Sequence, residues 1–174
     1  MYDMEGLKPI LERRSCRAYQ DKPVPKDMLK MLLQAGMNAP SARDSQPWEF
    51  LVMHDYAKKK AVSELFIYWR MLEKASLGIL VMANTSGYAS TTKEFFIQDC
   101  AACTENILLA AQAMGLGGVW LGLYPKTAFM QKIRDIYQIP KDILPFSIVS
   151  IGYPAWPIEP HTVYRAEKVH TDIY

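Results

Sequence analysis

The sequence predicts an α+β domain, a mixed central β-sheet flanked by helices. Three observations predict it. Strand-like runs recur at residues 48–54, 77–83, 118–124 and 146–153, separated by helical patterns of very uneven length. One of these runs, Leu77 to Ala83 (LGILVMA), has no polar face, as expected of a central strand covered on both sides. One helical pattern, residues 95–114, is much longer than the others and apolar almost all round. The chain has 174 residues, half of them hydrophobic and 22% charged, which fits one folded domain and not a disordered chain. A chain of this length buries about 70% of its unfolded surface and needs no disulfide or metal staple.

Taken in order, Asp3 can cap a first helix over residues 4–13, with Leu7, Ile10 and Leu11 on one face. Pro9 falls within two turns of its start, where proline does least harm. Residues 15–19 read as extended. Pro25 suits the first turn of a second helix, whose apolar stripe is Met28, Leu29, Leu32 and Leu33 and whose end lies near Gly36. Residues 38–46 form a polar loop, 48–54 a strand, and 56–67 a lysine-rich helix. After the run at 77–83, residues 84–92 read as a loop of small polar side chains. The long helix is stopped by Gly115, Gly117 and Gly118, and it is either central to the core or covered by another subunit. A strand over 118–124, a helix capped by Thr127 and running to residue 137, and a last strand over 146–153 complete the domain. Beyond Pro154 come Pro157 and Pro160 with no amphipathic stripe. Residues 155–174 are therefore expected to form an extended arm separate from the domain over 1–154. Trp156, Ile158, Val163, Tyr164 and Val169 are too apolar for a free tail, so the arm should pack on a surface, a neighbouring subunit's among them.

Charge and cysteine usage narrow the function classes. Twenty basic against eighteen acidic residues give a net charge of +2, which argues against a nucleic-acid-binding field but leaves room for a local anion pocket. No apolar run reaches the ~18 residues that span a membrane. Cys16, Cys100 and Cys103 cannot all pair within one chain. Cys100 and Cys103 form a C-x-x-C inside a helical pattern, without the second pair or histidine cluster of a zinc site and without the strand-to-helix setting of a redox pair. Buried apolar thiols and a reducing cytoplasm are the expectation. His54, His161 and His170 stand isolated, and no metal site is expected.

Four stretches carry the chemistry. Arg13, Arg14, Ser15 and Arg17 follow the first helix, and in an extended segment Arg13, Ser15 and Arg17 can share one side. Arginine forks suit a phosphate, although a basic helix end that complements the helix dipole has the same composition. Residues 39–48 (APSARDSQPW) precede a strand. Their small residues let a flat ligand approach the backbone, and Asp44, Ser45 and Gln46 can hydrogen-bond ring heteroatoms or a sugar chain; a plain polar connection would look similar. Residues 115–122 (GLGGVWLG) run helix, glycines, strand, the reverse of a dinucleotide fingerprint, which rules that site out. Gly122 inside a strand marks either close backbone approach to a ligand or tight packing. On the arm, Arg165, Lys168 and His170 are basic and could complete a shared anion site.

Together and in register, the R-x-S-x-R stretch, A-P-S-A-R-x-x-Q-P-W, Q-D-C-A-A-C-T-E-N-I-L-L-A-A, G-L-G-G-V-W-L-G and the late R-x-x-K-V-H resemble the nitroreductase family of flavin enzymes over residues 5–170. The resemblance implies an α+β sandwich built as an intertwined homodimer that exchanges the C-terminal arm. It also implies one FMN per active site at the subunit interface, reduced by NADH or NADPH. Arg13, Ser15 and Arg165 would hold its phosphate, helped by Lys168 and with Arg14 nearby. Arg17 would sit near the pyrimidine edge. Pro40, Ser41 and Ala42 would line the ring from the other subunit, with Asp44 and Gln46 as further cofactor-binding candidates in the same loop. Leu121, Gly122 and Leu123 would form the strand end whose backbone N–H reaches flavin N5. The chemistry would rest on the flavin, with no acid–base side chain. Asp44 stands where relatives often carry Asn, and a carboxylate there is unfavourable beside a reduced flavin unless Arg43 or Arg17 neutralises it. The segment after Leu65 is too short for the covering helices of larger relatives, which implies an open substrate side. The implied activity is hydride transfer from NAD(P)H to a nitroaromatic or quinone acceptor by a ping-pong cycle. A reductive dehalogenase-like enzyme and a flavin-binding redox module without turnover are the alternatives.

Overall fold

The structure, a computed structural model, describes residues 5–86 and 94–174. The expected Asp3 cap and most of the 84–92 loop lie outside these residues. Four strands form one sheet in the order β1-β2-β4-β3: β1 Trp48–Met53, β2 Leu77–Asn84, β3 Gly117–Gly122 and β4 Ile143–Gly152. All three pairings are antiparallel. The parallel component expected of a mixed sheet is confined, among the described residues, to the isolated bridge between Ser15 and Gly118. β2 runs up the middle with every residue from Leu77 to Ala83 buried, as its unbroken apolar run requires.

Alternation along β2 builds two cores. Leu77, Ile79, Val81 and Ala83 face one core and Leu80 and Met82 the other. The first core takes helices α2 (Lys26–Met37) and α5 (Phe96–Ala113). The second takes α3 (Tyr56–Ser63), α4 (Met71–Lys74) and α6 (Thr127–Tyr137). The result is a helix–sheet–helix sandwich. β4 begins at Ile143, earlier than the expected 146, and so includes Pro145. Proline is tolerated there because the register with β2 shifts beside it and β3 pairs β4 only from Ser147 onward.

The helix ends follow local chemistry. α5 stops in a Schellman turn: Leu116 N–H donates to Ala111 O at 2.8 Å, Gly115 N–H to Gln112 O at 3.1 Å, and Gly115 takes φ +71°. The first helix is shorter than expected, a 3₁₀ turn at Glu5–Leu7 followed by α1 (Lys8–Glu12), with Pro9 in its opening turn. Thr127 does not cap α6; Lys126 occupies that position and no side chain closes the turn. The lysine-rich helix ends at Ser63 rather than 67. The following residues form a 3₁₀ turn, Ile67–Trp69, in which Phe66 and Trp69 pack with Phe129 of α6, and then α4. Lys59 is buried behind α4 and donates to the carbonyl oxygens of Ala75 and Ser76. Burial pushes its pKa down.

Both chain ends join the sheet at one place. Residues 15–19 run beside β3 and β4: Cys16 N–H donates to Gly118 O at 3.0 Å, Gln20 N–H to Tyr153 O at 2.9 Å, and Ala155 N–H to Ala18 O at 3.0 Å. Tyr19 pairs with Pro154, and its hydroxyl donates to Cys16 O or Ser150 O, at 2.9 and 3.0 Å. Gly117 permits this close approach. A Cβ there would lie 2.6 Å from both Cβ and Sγ of Cys16. Gly117→Ala is therefore expected to cost about 1–3 kcal/mol by overpacking. A lowered denaturant midpoint with an unchanged m-value checks it, and an unchanged midpoint would show that residues 15–19 shift freely. All three thiols are buried and free. Burial raises them, Cys103 to about 12, so they are inert packing groups as their setting in the sequence suggested.

Beyond Pro154 the chain has no strand or helix except a 3₁₀ turn at Ala166–Lys168. Residues 159–174 are exposed throughout, including Tyr164 at 80% and Ile173 at 85%.

Candidate functional site

The proposed site residues fall into four groups. The first is the basic stretch. Ser15, Cys16, Arg17 and Ala18 line a cleft of about 560 Å³ together with Trp156, Pro157, Ile158 and Glu159, so the extended stretch and the root of the arm share one wall. Arg13 donates through Nε to Glu105 of α5 at 3.0 Å. Arg17 Nη1 reaches Ser15 O at 3.5 Å. Arg14 Nη1 donates to Arg13 O at 2.6 Å, while its Nη2 is buried and has no acceptor. A buried guanidinium nitrogen without a partner is costly.

The second group is the loop from Pro40 to Gln46. A 3₁₀ turn, Ala42–Asp44, interrupts it. Arg43, Asp44 and Gln46 all adopt left-handed backbone, with φ of 55°, 54° and 44°. Three such non-glycine residues in one loop are a concentration of strain of the kind that surrounds binding sites. Ser41 Oγ accepts from Gln46 N–H at 3.0 Å, and Gln46 Nε2 donates to Asp44 Oδ1 at 2.7 Å. Asp44 is thus partnered by the Gln46 amide, and no ion pair with Arg43 or Arg17 is present among the described residues.

The third group is the end of β3. Leu121 and Leu123 point into the second core, and Leu123 is fully buried. Gly122 between them is exposed, and a Cβ there would meet nothing within 4 Å. Packing within one chain therefore does not explain this glycine, and the face in front of the strand end is open. The fourth group, Arg165 and Lys168, lies on the exposed arm. No hydrogen bond or ion pair among the described residues joins it to the other three. A single chain brings Ser15 and Arg17 to the arm root but leaves the loop, the β3 end and the arm cations as separate groups.

Two residues with no role in the sequence reading connect these groups to the core. Asp99, 5% exposed in the first turn of α5, accepts from Ala42 N–H at 2.9 Å and from Ser45 Oγ at 3.4 Å. Glu105 takes Arg13, as described. Asp99 carries a sequence signal. It falls on the buried stripe Phe96, Cys100, Cys103, Thr104 and Ile107, where a carboxylate needs a partner. Glu105 is half-exposed and carries none. No group of three or more metal-ligating side chains is present among the described residues, and no helix of the structure is long and apolar enough to cross a membrane.

In fold class the chain is a three-layer α+β sandwich whose sheet edge carries a basic stretch and whose β3 end is open. It belongs to the nitroreductase family, whose model matches residues 10–69 and 59–153. A protein of Archaeoglobus fulgidus named as an NADH dehydrogenase/NAD(P)H nitroreductase is 44% identical over 150 residues, 86% of each chain. A crystal structure from Bacteroides thetaiotaomicron with the same kind of name superposes with a TM-score of 0.92 at 37% identity, covering all of both chains. An FMN-dependent nitroreductase from Clostridium difficile superposes with a TM-score of 0.88 at 26% identity, over 97% of this chain and 99% of that one.

Proposed function

We propose that this chain is an FMN-dependent oxidoreductase that takes hydride from NAD(P)H and passes it to an electron-poor acceptor of nitroaromatic or quinone type, working as a homodimer. The observation that carries the reading is the cleft that Ser15 and Arg17 form with the root of the arm, where a hydroxyl and a guanidinium offer donors that a phosphate would satisfy. The open face of Gly122 supports it independently.

When bound, FMN would supply the redox chemistry, hydride transfer through N5. The protein's contribution is position and charge. Arg13, Ser15 and Arg165, with Lys168 and Arg14, hold the phosphate. Arg17 places a fixed cation at the pyrimidine edge, where negative charge gathers on reduction, and so favours the reduced form. Pro40, Ser41 and Ala42 give a close-fitting wall for the ring, and the Asp44–Gln46 pair edges it. Gly122 and Leu123 present a backbone N–H toward N5 without a side chain in the way. Leu121 and Leu123, buried in the core on either side, keep that strand end rigid. Gly118, the bridge partner of Ser15, and Gly122 lie about 13 Å apart by the rise along β3, so a phosphate held at Ser15 and a ring held at Gly122 would lie toward opposite ends of one strand. Donor and acceptor use the same open side in turn. The apolar arm residues lie on the partner subunit, which accounts for their exposure in one chain.

The absorbance spectrum of the purified protein, before and after each nicotinamide, tests the proposal. A flavin spectrum that bleaches with NADH or NADPH and recovers with a quinone is expected. Protein that stays colourless after incubation with FMN refutes the reading, and flavin that binds but never bleaches marks a redox module without turnover.

A further inference from the structure

We infer that α5 is the positioning element of this site through two carboxylates, Asp99 and Glu105. Asp99 holds the loop 41–46 in its left-handed conformation, and Glu105 aims Arg13. The inference rests on the flavin reading above and adds to it which residues set the geometry. Asp99 grips both ends of the strained turn, Ala42 N–H at 2.9 Å with one oxygen and Ser45 Oγ at 3.4 Å with the other. Between these contacts lie Arg43 and Asp44, both left-handed, and Gln46 follows directly. Non-glycine residues remain in that region only where their surroundings impose it. The loop's internal bonds, Ser41 to Gln46 and Gln46 to Asp44, shape its outer edge, and Asp99 ties it to α5. With its N–H taken by Asp99, Ala42 turns no donor toward a ligand, and the loop offers its outer side chains instead.

Glu105 occupies the same helix six residues later. It engages Arg13 through Nε alone, so the two terminal nitrogens of that guanidinium make no other hydrogen bond among the described residues and can fork onto an anion. Six helical residues separate the two grips by about 9 Å along a rigid rod. α5 is itself fixed to α2 by Asn106 Nδ2 donating to Ala35 O at 3.1 Å and to β4 by the Thr104–Ser147 hydroxyl pair at 2.9 Å. The spacing of loop and arginine is therefore inherited from the core and is not left to two surface segments. Both carboxylates act through the loop and Arg13 and are positioning residues.

The test uses the full chain with Asp99→Ala and Asp99→Asn. Two readouts are taken: FMN affinity by quenching of flavin fluorescence, and the amide proton resonance of Ala42 in the protein without FMN. Asp99→Ala is expected to weaken FMN by about tenfold or more and to move the Ala42 resonance upfield. Asp99→Asn is expected to stay within about threefold, because its amide oxygen still accepts from Ala42 and its amide nitrogen can donate to Ser45. Unchanged affinity in Asp99→Ala overturns the inference, and so does an equal loss in both variants. Should Asp99→Ala fail to fold, Asp99→Glu carries the test: the added methylene displaces the loop, and an unmoved Ala42 resonance with unchanged affinity overturns the inference. Wild-type protein that binds no FMN sinks the flavin reading instead, and the Ala42 resonance then decides the loop contact alone.

Discussion

Replacing Arg13 by alanine is expected to weaken FMN binding by about 10- to 150-fold, the equivalent of about 1.5–3 kcal/mol for a charge-assisted phosphate contact. Stability should change far less. The substitution removes one ion pair to Glu105, at 3.0 Å and with side chains 29% and 40% exposed, and such partly exposed pairs contribute about 1 kcal/mol or less. The contrast between the two quantities is the discriminating result. Flavin titration gives the first and denaturant unfolding of the flavin-free protein the second. An affinity that does not move would place the phosphate elsewhere, and equal losses in both would make Arg13 a structural residue.

Ending the chain at Pro160 is expected to produce colourless monomers from yellow dimers. Residues 161–174 are exposed throughout within one chain. Their backbone hydrogen bonds are local, Lys168 to Arg165 and Val169 to Ala166 among them, and His170 stacks on Tyr174 of the same segment. Val163, Tyr164, Val169 and Ile173 are more than half exposed. Truncation therefore removes almost nothing from the fold of one subunit, and the flavin-free core should unfold at nearly its original temperature. What is lost is apolar area available to a partner, at about 25 cal/mol per Å², and the cations Arg165 and Lys168. Light scattering coupled to size exclusion, with absorbance at the flavin maximum, reads both effects at once. A truncated protein that remains yellow and dimeric would show that the arm crosses to nothing.

Much of the fold could be read because single residues carried unambiguous physics. The unbroken apolar run at 77–83 could only be an interior strand, and Gly115 announced the left-handed turn that ends α5. The helix expected to run to residue 137 is present as α6, Thr127–Tyr137, although Thr127, its expected cap, is its first residue and Lys126 takes the cap position. The segment from Ser63 to Lys74 could not be read in the same way. Its aromatic residues suit a helix as well as a turn, and packing of Phe66 and Trp69 against Phe129, sixty residues on, decided between them. Sheet direction was likewise beyond reach, since helix-separated strands suggest parallel crossovers while tertiary packing made every named pairing antiparallel. At the site, the basic stretch and Gly122 were visible as types out of place. The left-handed backbone of Arg43 and Gln46 was not, because the residues that usually mark that conformation are glycine, asparagine and aspartate.

The seam in which Ala18, Tyr19 and Gln20 bond to Tyr153, Pro154 and Ala155 has a mechanical consequence. It clasps the leading and trailing portions of the polypeptide together where they depart from the sheet. A tug on the trailing portion is therefore passed to the arginine-bearing one; in the dimer proposed above, pulling the subunits apart would load the phosphate-binding segment through this seam.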